Sequence, residues 1–391
     1  MSEQKYIQIA EPFLDEQEWV AVKAPLESGW LTQGPKVKDF EQAFALRHKV
    51  ANALAVTSCT TALHLALLAL GVGPGDAVVV PSFTWVATAN VVEYCGARPY
   101  FCDSCRDTYN LDLSRLEQLL DDLQKRGVRP KAVIAVHLFG LMTDMAALNE
   151  MADRYSFRIV EDAACAAGAD QMGRPAGGWG EVGCFSFHPR KIITTGEGGM
   201  CTTNNDLIAA HIGQLRSHGA SLSEEQRHSS DSPFLMPDFN EVGYNYRMSD
   251  LLGAVGLVQL TRLDNLIAQR RKLAAFYDEH LKDLNWLITP NVPADFAHSF
   301  QAYVCLVDRD RQSLPRNEIM GRLQKAGIAS RAGTHAIHEL GFYRDKYRLA
   351  PSDLPVASEL YSQTITLPLH NKMTEDDCWR VVSVLKGIDT Q

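Results

Sequence analysis

The run Ser186-Phe187-His188-Pro189-Arg190-Lys191-Ile192-Ile193-Thr194-Thr195-Gly196-Glu197-Gly198-Gly199 sets a lysine between an apolar strand and a glycine-rich turn. A lysine so placed reaches into a cleft from a rigid base. Its amine can condense with an aldehyde, and a neighbouring acid on a cofactor supplies the electron sink that amino-group transfer requires. A solvated lysine that covers surface is the other reading of the same residue. Upstream, Phe157 to Ala164 reads FRIVEDAA and puts Glu161 and Asp162 at the end of a buried strand. Burying a carboxylate unpaired is expensive, so each needs a partner. Asp162 either faces a cofactor cation, such as a protonated pyridine nitrogen, or forms a salt bridge or helix cap. Ser58-Cys59-Thr60-Thr61 opens a helix, where free N–H groups and the positive dipole end favour a phosphate. A plain cap explains the same residue types.

The elements that must hold these residues follow from the apolar periodicity. From about Lys36 to Asn204 strand and helix alternate, which implies a parallel sheet covered by helices. Strands are expected over Ala53–Thr57, Ala132–His137, Phe157–Glu161, Val182–Phe187 and Met200–Thr203, and helices over Thr60–Leu70 and Met145–Tyr155. Ligands gather at the C-terminal ends of such strands. Polar sequence from Arg216 to Phe239 has no clean period and reads as a long surface loop. Ser249 to His280 reads as one long helix connecting two domains, with Arg270, Arg271 and Lys272 on its solvated face. Strands at Ala302–Val307 and Thr364–Leu369 and helices at Arg316–Ala326 and Thr374–Leu385 then suggest a smaller α+β domain. No internal repeat is visible.

Bulk properties are those of a large cytoplasmic enzyme rather than a nucleic-acid or membrane protein. The 391 residues suit two domains around a cleft, and 46% hydrophobic against 22% charged residues allow a large core. A formal charge of -9 with scattered Lys and Arg argues against nucleic acid as a partner. The N-terminus lacks a basic start followed by an apolar core, and the longest apolar stretch, Ala62 to Val72, is far short of a membrane span. Nine scattered cysteines favour reduced thiols, and Cys102 with Cys105 lacks the second pair a zinc site needs.

Taken together, VEDAA with Asp162, SFHPRKIITTGEGG with Lys191, GWLTQGPKVKDFE, PSFTWVATAN and VGYNYRMSD closely resemble the DegT/StrS-type sugar aminotransferases. The resemblance runs from Gly29 to about Met373. It implies an α/β, fold-type-I aminotransferase using pyridoxal 5′-phosphate, with a large cofactor-binding domain over residues 1–255 and a small C-terminal domain over 256–391. By the same resemblance Lys191 carries the cofactor and shuttles protons, Asp162 faces the pyridine nitrogen, and Thr60, Thr61 and Ser186 contact the phosphate. Trp85 stacks on the cofactor ring, with a buried core aromatic as its other reading. Asn245 reaches the phosphate of a second subunit, which implies a homodimer. Cys165 stands where the family usually has Gln or His beside the cofactor's phenolic oxygen, and a thiol cannot give the same hydrogen bond. Cys59, Thr61 and Leu141 also depart from the common pattern.

The expected partners are L-glutamate as amino donor and a nucleotide-linked keto sugar as acceptor. SFQAYVCLVD, from Ser299 to Asp308, and its spacing to Gly333-Thr334-His335 resemble perosamine-type C4 enzymes more than C3 enzymes, with C3 amination as the alternative. Relatives that remove a sugar hydroxyl carry His in place of the lysine, so Lys191 argues against dehydration. A non-catalytic cofactor-binding regulator would need a DNA-binding module, and no helix-turn-helix pattern appears. The segments His218–Asn240 and Arg331–His335 are expected to select the sugar, while His335 and His338 could equally be satisfied structural residues.

Overall fold

The computed structural model describes residues 5–221 and 236–389. Its main sheet contains β1 (Asn52–Val56), β2 (Ala77–Pro81), β4 (Arg98–Cys102), β5 (Pro130–Val136), β6 (Arg158–Asp162), β9 (Val182–Ser186) and β10 (Gly199–Thr203). The spatial order is β1-β10-β9-β6-β5-β2-β4, all parallel except β10, which runs against both neighbours. Both faces of this sheet are covered. Val133 and Ala135 of β5 enter one apolar cluster, while Ala132 and Ile134 enter the other. Strands buried on both faces read as continuous apolar runs, and β1, β5, β6, β9 and β10 lie within two residues of the bounds expected from sequence, whereas β2 and β4 had no expected bounds.

A second sheet, antiparallel, has the order β11 (Leu287–Ile288), β13 (Tyr303–Val307), β16 (Thr364–Leu367) and β14 (Arg331–Ala332). Trp286, Tyr277 and Tyr303 centre its core, and Ile7 of the N-terminal arm joins it through a bridge to Ile328. Two small pairings tie this part to the main sheet. Strand β12 (Phe296–Ala297) joins the hairpin of β7 (Asp170–Gln171) and β8 (Arg174–Pro175), and β15 (His335–Ala336) pairs with β3 (Phe83–Thr84).

The expected helix from Ser249 to His280 is two helices, Asp250–Thr261 and Leu263–Leu281, bent by 55° at Arg262. Arg262 is held at the bend by Asp15 at 2.6 Å and Glu18 at 3.1 Å, residues of the N-terminal arm. The first segment lies close on α2 (Pro35–His48), because Gly253 and Gly256 leave room for Val37 and Phe40. Its Asp250 carboxylate accepts from the amides of Lys36 and Val37 and so caps α2. The second segment corrects another expectation. Arg271 and Lys272 face solvent, but Arg270 is buried. Its guanidinium donates to the carbonyls of Phe300, Gln301 and Leu369 and to Asn371 Oδ1, and that set of oxygens compensates the buried charge.

No single helix among the described residues is long and apolar enough to cross a membrane. All nine cysteines are free. The expected loop from Arg216 to Phe239 begins instead with a buried residue: Arg216 pairs with Glu41 at 2.5 Å and donates to Ala55 O. Residues 222–235 of that stretch lie outside the described residues.

Candidate active site

Lys191 leaves the C-terminal end of β9 on a tightly closed loop. Its own amide donates to His188 O, while Thr194 Oγ1 and the Thr195 amide both donate to Phe187 O. Gly196, at φ +88°, makes the turn that lets the chain return as β10. Gln259, on the helix Asp250–Thr261, accepts from the Thr194 amide and donates to Glu18 and Phe13 O, tying this loop to the N-terminal arm. The half-buried Lys191 Nζ lies 3.2 Å from Cys165 Sγ.

Glu161 and Asp162 are successive residues of β6 and therefore face opposite sides of the sheet. Glu161 is structural. It accepts from His137 Nε2 at 2.9 Å and from the amides of Gly177, Trp179 and Gly180 at 2.7–2.8 Å. Burial opposes its ionisation, but these donors outweigh burial and hold the carboxyl below its ordinary range. Thr143 donates its amide to His137 Nδ1, which leaves the proton on Nε2, toward Glu161.

Asp162 has fewer donors: Thr88 Oγ1 at 2.8 Å, the Ala164 amide at 3.2 Å and, weakly, Cys59 Sγ at 3.8 Å. Burial dominates and raises its carboxyl above the ordinary range, although Thr88, Ala164 and the charge of Lys191 pull the other way. A further cation beside Asp162 would restore the ionised form, which is the chemistry of a protonated pyridine nitrogen.

Strand β1 delivers the chain to Ser58, whose side chain accepts from the Thr61 amide at the start of α3 (Cys59–Ala69). Thr61 Oγ1 is also taken up by this cap, donating to Ser58 O. The Cys59 and Thr60 amides, in the first turn, are the donors of this helix end without a partner among the described residues. Gly199 supports the close approach of α3 to β10, since a Cβ there would stand 2.4 Å from Ser58 C and 2.7 Å from Cys59 N. Ser186 ends β9 beside this turn, paired in register with Gly199. Buried carboxylate, amine and unpaired helix amides fit pyridoxal phosphate.

Trp85 is 61% exposed, which excludes the core-aromatic reading. Its ring meets that of His335 edge-on at 5.5 Å, brought there by the β3–β15 pairing. His338 is the structural histidine of the pair, buried and bonded to Ser82 Oγ at 2.6 Å and Ser358 Oγ at 3.2 Å. Asn245 is exposed and bridged through its backbone to Ser217. From the segment leading into β13, Ser299 Oγ donates to Cys165 O and Gln301 Nε2 donates to Arg190 O, so that segment closes against the Lys191 loop. Thr88, Gln259, Ser299 and Gln301 have no motif of their own, although Thr88 lies within the quoted PSFTWVATAN segment and Ser299 and Gln301 within SFQAYVCLVD.

The model of the DegT/DnrJ/EryC1/StrS aminotransferase family matches residues 12–386. GDP-perosamine synthase of Caulobacter vibrioides is 38% identical over 390 residues, covering 99% of this chain and 100% of that protein. Among solved structures, PseC of Helicobacter pylori, an aminotransferase involved in the biosynthesis of pseudoaminic acid, superposes with a TM-score of 0.90 at 27% identity over 99% of this chain and 100% of its own. Spr1654 of Streptococcus pneumoniae, solved in a PLP-form, gives a TM-score of 0.87 at 28% identity over 98% and 99%.

Proposed function

The chain belongs to the DegT/DnrJ/EryC1/StrS aminotransferase family and is a PLP-dependent sugar aminotransferase; we propose that it transfers the amino group of L-glutamate to C4 of a nucleotide-linked 4-keto-6-deoxyhexose. The observation that carries the catalytic assignment is the meeting of Lys191, Cys165 and the buried Asp162 at the ends of β9 and β6. The choice of C4 rests on the 38% identity to a perosamine synthase, together with the Ser299–Asp308 segment packed against the Lys191 loop. Cytoplasmic residence and a homodimer belong to the same reading, as does a division into residues 1–255 and 256–391.

Pyridoxal phosphate, when bound, supplies the electron sink through which an amino group can be exchanged. In the proposed arrangement Lys191 anchors it covalently and, once released, takes and returns a proton at Nζ. Asp162 would hold a proton on the pyridine nitrogen by its negative charge. Thr88 and the Ala164 amide keep that carboxylate oriented. The Cys59 and Thr60 amides, with Thr60 and Ser186, would bind the phosphate, aided by the dipole of α3, whereas the expected contact from Thr61 is taken up by the cap, its amide and hydroxyl both donating to Ser58. Trp85 and Cys165 would hold the ring of the cofactor, and Asn245 would contribute to the phosphate site of a second copy.

Incubation with L-glutamate and either a 4-keto or a 3-keto sugar nucleotide, followed by NMR of the amino sugar, tests the reading. Product from the 4-keto sugar, aminated at C4, is expected. Product from the 3-keto sugar alone would overturn the C4 assignment and leave the aminotransferase intact.

A further inference from the structure

Of the nine cysteines seven are buried, and only Cys105 and Cys165 are partly exposed. Burial pushes up the thiols of Cys59, Cys95, Cys102, Cys184, Cys305 and Cys378, which keeps them neutral and unreactive. Buried sulfurs with a hydrogen-bond partner face oxygens: Cys59 meets Asp162 and Cys184 O, Cys102 meets Asp112 O and Cys201 meets Ala62 O. At Cys165 the sulfur faces an amine instead, with Lys191 Nζ at 3.2 Å. The Arg331 guanidinium is also near enough for its charge to interact with Cys165. A partly exposed thiol among cations is one that oxidants reach. The two backbones are fixed independently of each other. Ser299 Oγ donates to Cys165 O at 3.3 Å, the Ala166 amide donates to Ala163 O, and the Lys191 amide donates to His188 O. Any closer approach of nitrogen to sulfur therefore falls to the flexible four-carbon stem of the lysine.

We propose that Cys165 and Lys191 form a modification site for peroxides, in which oxidation of the thiol closes a reversible sulfur–nitrogen bond to the lysine. In the first step the sulfur attacks one oxygen of hydrogen peroxide. The O–O bond breaks, Cys165 becomes a sulfenic acid and one water leaves, so sulfur gives up the two electrons that peroxide gains. In the second step the lone pair of the uncharged Lys191 Nζ attacks that sulfur. The S–O bond breaks, and hydroxide leaves as water with a proton from the nitrogen. The product is a sulfenamide joining the two side chains. A small thiol reverses it in two exchanges. The first opens the S–N bond, returns a proton to the amine and leaves a mixed disulfide; the second restores the Cys165 thiol and releases a disulfide. The cross-link needs only a free amine, but its consequence rests on the aminotransferase reading: it occupies the nitrogen that would hold the cofactor, and a cofactor already attached there blocks the second step.

The test treats the full-length protein, cofactor-loaded and stripped of cofactor, with hydrogen peroxide and reads intact mass and cross-linked peptides. The stripped protein is expected to become lighter by about 2 Da, to yield a peptide pair joining Cys165 to Lys191, and to regain its mass in dithiothreitol. Cys105→Ser is expected to behave as wild type, whereas Cys165→Ser forms no such pair. Lys191→Ala, which cannot close the bond, is expected to stop at the sulfenic acid, about 16 Da heavier and captured by dimedone on Cys165. Wild type that is oxidised at Cys165 without a bond to Lys191, that is oxidised first at Cys105, or that does not react overturns the proposal. Cofactor-loaded protein is expected to cross-link about tenfold more slowly or less. Equal rates with and without cofactor would leave the pair standing and sink the attachment of the cofactor to Lys191 instead.

Discussion

The amine of Lys191 stands 3.2 Å from the sulfur of Cys165, although the two residues arrive on different loops. Their strands, β9 and β6, are parallel neighbours, with Val160 opposite Val182. The loops at the C-terminal ends of such strands meet by topology, so the site sits where open α/β sheets gather ligands. A thiol is a weak hydrogen-bonding partner. Lys191 is therefore positioned without being locked in a salt bridge, which suits the proposed role of forming and releasing a covalent bond to the cofactor.

Borohydride reduction of the purified, cofactor-loaded protein followed by peptide mapping is expected to place the cofactor on Lys191. A label on another lysine would refute the assignment. Changing Lys191 to Ala should abolish steady-state transamination while circular dichroism stays that of wild type, since the half-buried side chain contributes little to the core.

Asp162→Asn should lower kcat/KM by about 100-fold or more if the proposed pairing with the pyridine nitrogen holds, because it removes the buried carboxylate. Thr88→Val, which deletes the 2.8 Å hydrogen bond but keeps the carboxylate, should have a smaller effect in the same direction. Wild-type kinetics in Asp162→Asn would show that the carboxylate is structural, as Glu161 is.

What the sequence reveals here, and what it hides, divides along physical lines. Strands β5, β6, β9 and β10 are legible because burial on both faces leaves continuous apolar runs, and Ser58 is legible because a cap is a local device. Arg270 is not. Helical periodicity assigns charges to water, whereas the oxygens that receive Arg270 come from Phe300, Gln301, Leu369 and Asn371. The bend at Arg262 depends likewise on Asp15 and Glu18, far away in the chain. Thr88 and Gln259 carry no motif of their own, and only three-dimensional proximity shows that one orients Asp162 and the other steadies the Lys191 loop.

Gly199→Ala tests the close approach of α3. With Ser58 C only 2.4 Å from the new Cβ, the helix start must move, and overpacking of this kind costs about 1–3 kcal/mol. A lower melting temperature and weaker phosphate-dependent cofactor binding are expected together. Unchanged cofactor affinity would mean that the α3 amides do not hold the phosphate.

A homodimer with shared sites is expected from the placement of Asn245. It is exposed, and Phe239 and Val242 nearby present large apolar side chains to solvent. Sizing at working concentration should show a dimer, and Asn245→Ala should weaken cofactor binding without dissociating it. A monomer that binds cofactor tightly and turns over would exclude sharing.

Stability should fall as the pH drops below neutrality, for a reason located in two buried histidines. Burial pushes His48 and His298 down from 6.5 to about 3. Each is neutral in the folded protein, while in the unfolded chain it takes up a proton near its ordinary value. Between pH 6.5 and about 3 the unfolded chain therefore binds more protons, and the folded state loses ground as pH falls. At pH 5 the gap is about 1.5 pH units per histidine, or about 2 kcal/mol each. Glu161, held below 4.5, adds to the loss only at lower pH, whereas Asp162, raised above 3.8, acts in the opposite sense. His48 donates through Nδ1 to Phe44 O at 3.1 Å, and its Nε2 is buried without a partner. Asn at this position keeps a donor near Nδ1 and cannot titrate. Urea unfolding at pH 7, 6 and 5 should show a declining midpoint in wild type and a shallower decline in His48→Asn. Parallel pH profiles for the two proteins would remove His48 as a source of the acid sensitivity.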